Sequence, residues 1–248
     1  SVRARNHPPI DAWFVPARGR RRLGPLVLKI HGGPHSAYGP VPFTETLALA
    51  HAGFHVLYAN PQGSVGYGEA FSRRWGPPDA PKQLAVFEWA IRQGLAPRDR
   101  IGVLGLSYGG FMVNWLLGHH PSRFAAGVSE NPVTDLVSHF GTCDFATWVG
   151  PTAVGVRFPH ENPDRYRELS PASQIHRNKA PLLLLQCDGD LRCPPDQTEI
   201  VFGILRGLGR EVEMVRYPEE SHILVATGRP DRRADRLERI VDWFQRYL

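Results

Sequence analysis

Gly105-Leu106-Ser107-Tyr108-Gly109 places a serine between two glycines at the spacing G-x-S-x-G. A serine hydroxyl is a weak nucleophile until a neighbouring base takes its proton, and its chemistry is then attack on a carbonyl carbon. The apolar run IGVLG precedes the pentapeptide and FMVNWLLG follows Gly110. Ser107 therefore falls at a strand-to-helix turn, the context this spacing requires. Glycine on either side lets the two backbones approach closely while the serine projects its hydroxyl above the sheet.

The base and the acid that such a serine needs follow it in the order carboxylate, then histidine. The chain has eleven histidines, and only His222 lies beyond the apolar run Leu182–Gln186 and its loop. It closes the loop PEESH after the run EVEMVRYP, where a base is expected. His7, His31, His35, His51, His55, His119, His120, His139, His160 and His176 read as core, loop or surface residues. The acid must hold the imidazole tautomer and stabilise the imidazolium. Asp188 and Asp190 in the loop after Leu182–Gln186 are both candidates, with Asp196 a distant third. The tetrahedral intermediate also needs donors for its oxyanion. One is the backbone N–H of Tyr108, the residue after the nucleophile. The other comes from His31-Gly32-Gly33-Pro34, which ends the run LVLKI and where Gly32 and Gly33 allow close backbone approach.

Apolar runs must position these groups. Strands are expected at Ala12–Val15, Leu26–Ile30, His55–Ala59, Gly102–Gly105, Ala126–Ser129, Leu182–Gln186 and Val212–Tyr217. Several are continuously apolar, as strands covered on both faces should be. Helical patterns alternate with them at Phe43–His51, Lys82–Gln93, Gly109–Gly118, Pro195–Leu208 and Arg232–Tyr247. The alternation predicts an α/β fold with a mostly parallel central sheet and helices on both faces, the α/β-hydrolase arrangement. Residues 133–173 read as an irregular, aromatic-rich insertion above the sheet.

At 248 residues the chain fits one domain. No apolar stretch approaches the roughly eighteen residues that span a bilayer, and the N-terminal SVRARNHPPI has no secretory apolar segment. The net charge of +5 is carried almost wholly by arginine, with lysine only at Lys29, Lys82 and Lys179. The basic runs Arg18–Arg22 and Arg229–Arg236 lack interleaved aromatics that could stack on bases, so they read as solvated surface and not as a nucleic-acid site. Three cysteines, Cys143, Cys187 and Cys193, are too few for a disulfide framework. They suit a reducing, cytoplasmic setting, with free thiols preferred over a Cys187–Cys193 pair. No zinc spacing, dinucleotide fingerprint or phosphate loop is present, so neither metal nor cofactor is expected.

Five segments together resemble the catalytic domain of the prolyl oligopeptidase family, in its acylaminoacyl-peptidase-like branch. They are HGGPHSAYG (31–39), NPQGSVGYG (60–68), GLSYGGFMVNW (105–115), DGDLRCP (188–194) and ESH (220–222), in the family's order along nearly the whole chain. The resemblance implies that Asp190 is the acid. It also implies that Arg192 holds a substrate peptide carbonyl, a task suited to a multi-donor fixed charge. Phe140, Phe145, Trp148 and Phe158 would line the acyl-side pocket. Relatives carry an N-terminal β-propeller that restricts entry to short peptides. This sequence shows none, so residues 1–248 are expected to be either a catalytic fragment whose propeller has been cut away or a solitary catalytic domain; the start at Ser1 favours the first, with a surface that contacts the missing propeller. A homo-oligomer is compatible with this. Where some relatives have an oxyanion tyrosine before the glycines, this chain has His31, which leaves Gly32 or Gly33 as the donor. The expected function is a serine peptidase acting on short or N-acylated peptides. The alternatives are a carboxylesterase on the same fold and, from another class, an inactive binding scaffold.

Overall fold

The computed structural model describes residue 2 and residues 8–19, 22–73, 75–77 and 80–248. His7 and, in the first basic run, Arg20 and Arg21 lie outside the described residues. The strands are β1 (Asp11–Val15), β2 (Leu26–Ile30), β3 (His55–Asn60), β4 (Ile101–Leu106), β5 (Ala126–Glu130), β6 (Leu182–Cys187) and β7 (Val212–Tyr217). Each matches its expected range to within one residue at either end. The helices are α1 (Thr44–His51), α2 (Glu69–Ser72), α3 (Ala80–Arg92), α4 (Tyr108–His119), α5 (Leu136–Thr142), α6 (Ala146–Val149), α7 (Pro163–Glu168), α8 (Pro195–Gly207), α9 (Leu224–Thr227) and α10 (Pro230–Tyr247).

The strands form one sheet in the order β1-β3-β2-β4-β5-β6-β7. Among the strands described, only β1, at one end of this order, runs antiparallel to its neighbour. Side chains alternate between the two faces. Leu26, Leu28, Leu57, Val103, Leu182 and Leu184 pack on one side with α3, α4 and α8. Val27, Val56, Leu104, Leu183 and Leu185 pack on the other with α1 and α10. Every residue of β6 is buried, which explains its unbroken apolar run. Each fully buried leucine contributes about 1.5–3 kcal/mol relative to exposure.

Helix α4 is buried from Tyr108 through Gly118, so it is apolar all round. Its glycines seat it on the sheet. A Cβ at Gly109 would collide with the Ile30 carbonyl, and one at Gly110 would lie 2.8 Å from the Glu130 carbonyl.

The insertion departs from expectation. It is not irregular but carries α5, α6, a π-helical turn (Gly150–Val154), α7 and a 3-10 turn (Pro171–Ser173) around its own apolar cluster of Leu136, Val154, Tyr166 and Leu169. Segments of three to seven residues are too short for a 3.6-residue period to register. Their caps define them instead. The Asp135 carboxylate accepts from Ser138 N–H at 2.8 Å, and Asn162 Oδ1 accepts from Arg165 N–H at 3.0 Å. No helix among the described residues is long and apolar enough to cross a membrane.

Candidate active site

The order of the sheet reverses around β2 and β4, and their register pairs Ile30 with Gly105. The loops leaving both strands therefore start side by side. A Cβ added to Gly32 would lie 3.5 Å from the Ser107 Cβ, which shows how closely the two loops meet. This is the switch-point crevice at which open parallel sheets bind ligands.

Ser107 sits between β4 and α4 with φ 61° and ψ −121°, a conformation strained for any residue but glycine. Its N–H donates to the Glu130 carbonyl at 2.9 Å, and its carbonyl accepts from Phe111 N–H at 2.9 Å. The turn is thus fixed from both strand and helix.

The three candidate catalytic side chains converge. Ser107 Oγ lies 3.0 Å from His222 Nε2, and His222 Nδ1 lies 2.6 Å from Asp190 Oδ2. Asp190 is buried. Its Oδ1 accepts from the N–H groups of Arg192 and Cys193, each at 2.8 Å. Because a carboxylate only accepts, Nδ1 carries the imidazole proton and Nε2 is left to receive the one from Ser107. Asp188, the rival acid, instead pairs with Arg216 at 2.7 Å, and Asp196 accepts from the Ser138 hydroxyl.

Backbone bonds join the loops bearing Asp190 and His222. Asp188 N–H donates to the Tyr217 carbonyl at 3.0 Å, and Gly189 N–H to the Glu220 carbonyl at 2.9 Å. Asn131, at φ 36°, adds a link that sequence reading missed. Its carboxamide accepts from Cys187 N–H at 2.8 Å and donates to the His222 carbonyl at 3.1 Å. The asparagine directly after the strand is a local signal for the positive φ, while the two groups it links are set only by the fold.

Ser107, His222, Gly32, Gly33 and Tyr108 open onto a cavity of about 400 Å³. Tyr108 begins α4, where helical N–H groups lack intrahelical acceptors and the helix dipole is positive. Its ring is stacked on Phe111, and its hydroxyl accepts from Gly76 N–H at 2.9 Å. Of the expected pocket residues, Arg192, Phe145 and Trp148 line the cavity. Phe140 does not; it packs edge-on against Phe158, 5.9 Å between ring centres, and both lie outside the lining. Trp75 stacks on Trp148 at 5.5 Å, and Trp148 on Phe145 at 4.9 Å. The Arg192 guanidinium lies 4.7 Å over the Phe145 ring. Arg192 Nε also donates to Asp144 at 2.7 Å, and that bond holds the Asp144 carboxyl below its ordinary range.

Two lining residues carry chemistry that sequence reading did not assign. The Cys193 Sγ lies 4.0 Å from Ser107 Oγ, and burial pushes its thiol pKa well up, so it stays protonated. His139 is buried, which lowers its pKa, and its Nε2–H donates to the Arg192 carbonyl at 2.9 Å. All three cysteines are free.

Comparison with known proteins shows what the chain as a whole resembles. The chain is 37% identical over 237 residues to an uncharacterised peptidase, YuxL, of Bacillus subtilis, covering 90% of this chain and 35% of the relative. It is 33% identical to the acylamino-acid-releasing enzyme of Arabidopsis thaliana, covering 96% of this chain and 33% of that one. The chain spans about a third of the length of these curated relatives. Among solved structures, the acylaminoacyl peptidase of Pyrococcus horikoshii superposes with a TM-score of 0.90 at 33% identity, over 96% of this chain and 39% of that one. The sequence pattern of the prolyl oligopeptidase family matches residues 42–248, and with its α/β-hydrolase sheet the chain belongs to that family.

Proposed function

We propose that this chain is the catalytic unit of a serine peptidase that hydrolyses short or N-acylated peptides through an acyl-enzyme on Ser107. The observation that carries the reading is the line from Ser107 Oγ through His222 to Asp190, at 3.0 and 2.6 Å, at the mouth of an apolar cavity. The peptide and N-acyl specificity rests on the relatives, whose names are acylamino-acid-releasing enzyme and acylaminoacyl peptidase.

In this mechanism Ser107 Oγ bonds to the acyl carbon as its proton passes to His222 Nε2. The carbonyl oxygen becomes an oxyanion that accepts from Tyr108 N–H and from Gly32 or Gly33 N–H, each such donor being worth about 3 kcal/mol in the transition state. The C–N bond then breaks as His222 returns the proton to the leaving amine. A water repeats the sequence and releases the acid. Arg192 holds a carbonyl of the bound peptide. Trp75, Phe145 and Trp148 offer flat apolar walls to a large side chain.

This chain matches about a third of the relatives' length, which leaves room for a propeller domain in the whole protein. Exposed Leu191, Phe145 and Ile223 near the mouth suit contact with it. Three unpaired thiols favour a cytoplasmic setting.

The test compares a peptide anilide with a p-nitrophenyl ester on the intact protein. Turnover of both, with Ser107 labelled by a fluorophosphonate and Ser107→Ala unlabelled, is the expected result. Ester turnover alone would reassign the protein as a carboxylesterase, and equal labelling of Ser107→Ala would remove Ser107 as the nucleophile.

A further inference from the structure

The segment Asn60–Gly68 has no part in the mechanism above, yet it grips the loop that carries the candidate oxyanion donors. Asn60 Oδ1 accepts from Tyr38 N–H at 2.8 Å, and Asn60 Nδ2 donates to the Tyr38 carbonyl at 2.9 Å. Val65 N–H donates to the Ser36 carbonyl at 3.1 Å. Ser64 Oγ lies 2.9 Å from His31 Nε2, and His31 Nδ1 lies 2.7 Å from the Gly32 carbonyl. Asn60 and Ser64 are each 1% exposed and His31 is 6% exposed, so water does not compete for these bonds.

A carbonyl only accepts, so His31 Nδ1 must carry a proton. Burial lowers the His31 pKa, and a neutral ring then takes the Ser64 proton at Nε2. A charged ring would donate there instead, with Ser64 donating to the Pro61 carbonyl at 2.7 Å. In both states the Nδ1 proton stays on the Gly32 carbonyl. The peptide from Gly32 to Gly33 is planar, and its C=O and N–H point in opposite directions. Fixing the Gly32 oxygen therefore fixes where the Gly33 N–H points, and Gly33 lines the same cavity as Ser107.

We propose that His31, Ser64 and Asn60 are positioning residues, and that the Asn60–Gly68 loop acts through His31 to hold the Gly32–Gly33 peptide ready for the oxyanion. This rests on the serine-hydrolase reading. A donor held in place before the reaction stabilises the transition state without reorganisation, and such a contribution appears in kcat more than in KM.

The test uses the intact protein, with kcat normalised to sites titrated by a fluorophosphonate so that only folded enzyme is counted. Failure of the wild type to label would sink the hydrolase reading itself, apart from this proposal. Ser64→Ala, which removes one hydroxyl, should lower kcat on a peptide anilide roughly 10-fold with KM within about 2-fold, and His31→Gln roughly 100-fold, as expected when one donor is loosened or lost. His31→Asn, which can replace the Nδ1 donor, should retain more activity than His31→Gln. A peptide trifluoromethyl ketone, whose adduct carries an oxyanion, should lose affinity in proportion to kcat, while the product peptide acid keeps its Ki. Unchanged kcat in Ser64→Ala, or equal weakening of ketone and product, would overturn the proposal.

Discussion

At Ser107 a positive φ costs on the order of 1–3 kcal/mol, and the bonds to Glu130 and Phe111 offset that cost by over-determining the turn. Asp190 is equally constrained, because both its oxygens are committed. In Asp190→Asn one carboxamide face must meet two backbone N–H groups, so its oxygen turns there and its NH₂ turns toward His222. Nδ1 must then accept, the imidazole proton moves to Nε2, and the base is lost. The expected outcome is a drop of about 10⁴-fold in kcat with the fold intact. Steady-state kinetics on a peptide anilide, with circular dichroism as the control, measures it. A loss under 10-fold would mean that Asp190 does not set the tautomer.

Between elements, glycines decide how closely backbones pass. A Cβ at Gly105 would collide with the Gly109 backbone, inside the turn that presents Ser107. Gly105→Ala should therefore cost roughly 1–3 kcal/mol of stability and slow fluorophosphonate labelling by at least about 100-fold, since small misplacement at the reacting centre has effects of that order. Gly203 lies within α8, and a Cβ there would meet nothing within 4 Å. Gly203→Ala should raise stability by about 0.4–1 kcal/mol in urea titration and leave labelling unchanged. Opposite outcomes for the same chemical change would separate close approach from helix propensity.

Across the whole molecule, a buried charge cluster ties α10 to the sheet beneath the site. Arg236 bonds Glu130 at 2.5 and 2.6 Å and also bonds Glu45, which pairs with Lys29 at 2.8 Å. Glu130 in turn supplies the carbonyl that fixes Ser107. Arg236→Met leaves the two carboxylates buried without their shared partner and should cost about 3–5 kcal/mol, a fall of roughly 10 °C in Tm for a domain of this size. Burial alone would raise the Glu45 pKa, but Arg236 and Lys29 outweigh it and hold it at about 2, below its ordinary 4.5. That stabilisation is complete above 4.5 and is lost as pH falls toward 2. Glu130 acts in the opposite sense, since burial raises its pKa and Arg236 offsets this only in part. Tm should fall between pH 4.5 and 3, and Glu45→Gln should flatten that slope; an equal slope in the variant would remove Glu45 as the source.

The candidate serine and histidine, and the seven strands and five long helices among the described residues, were legible in the sequence because each leaves a local trace. Glycine spacing marks the turn, an unbroken apolar run marks a strand covered on both sides, and chain order isolates His222 from ten other histidines. The candidate acid was legible only as a choice among neighbours, since which carboxylate of a short loop turns inward depends on the backbone N–H groups it meets, here those of Arg192 and Cys193. Phe140 shows the same limit, as an aromatic in the right segment that packs on Phe158 and not on the cavity. The links through Asn131, Ser64 and Arg236 were invisible for one physical reason. Each joins residues from 33 to 191 positions apart, and contacts at such separation exist only once the register of the sheet has set the strand ends side by side.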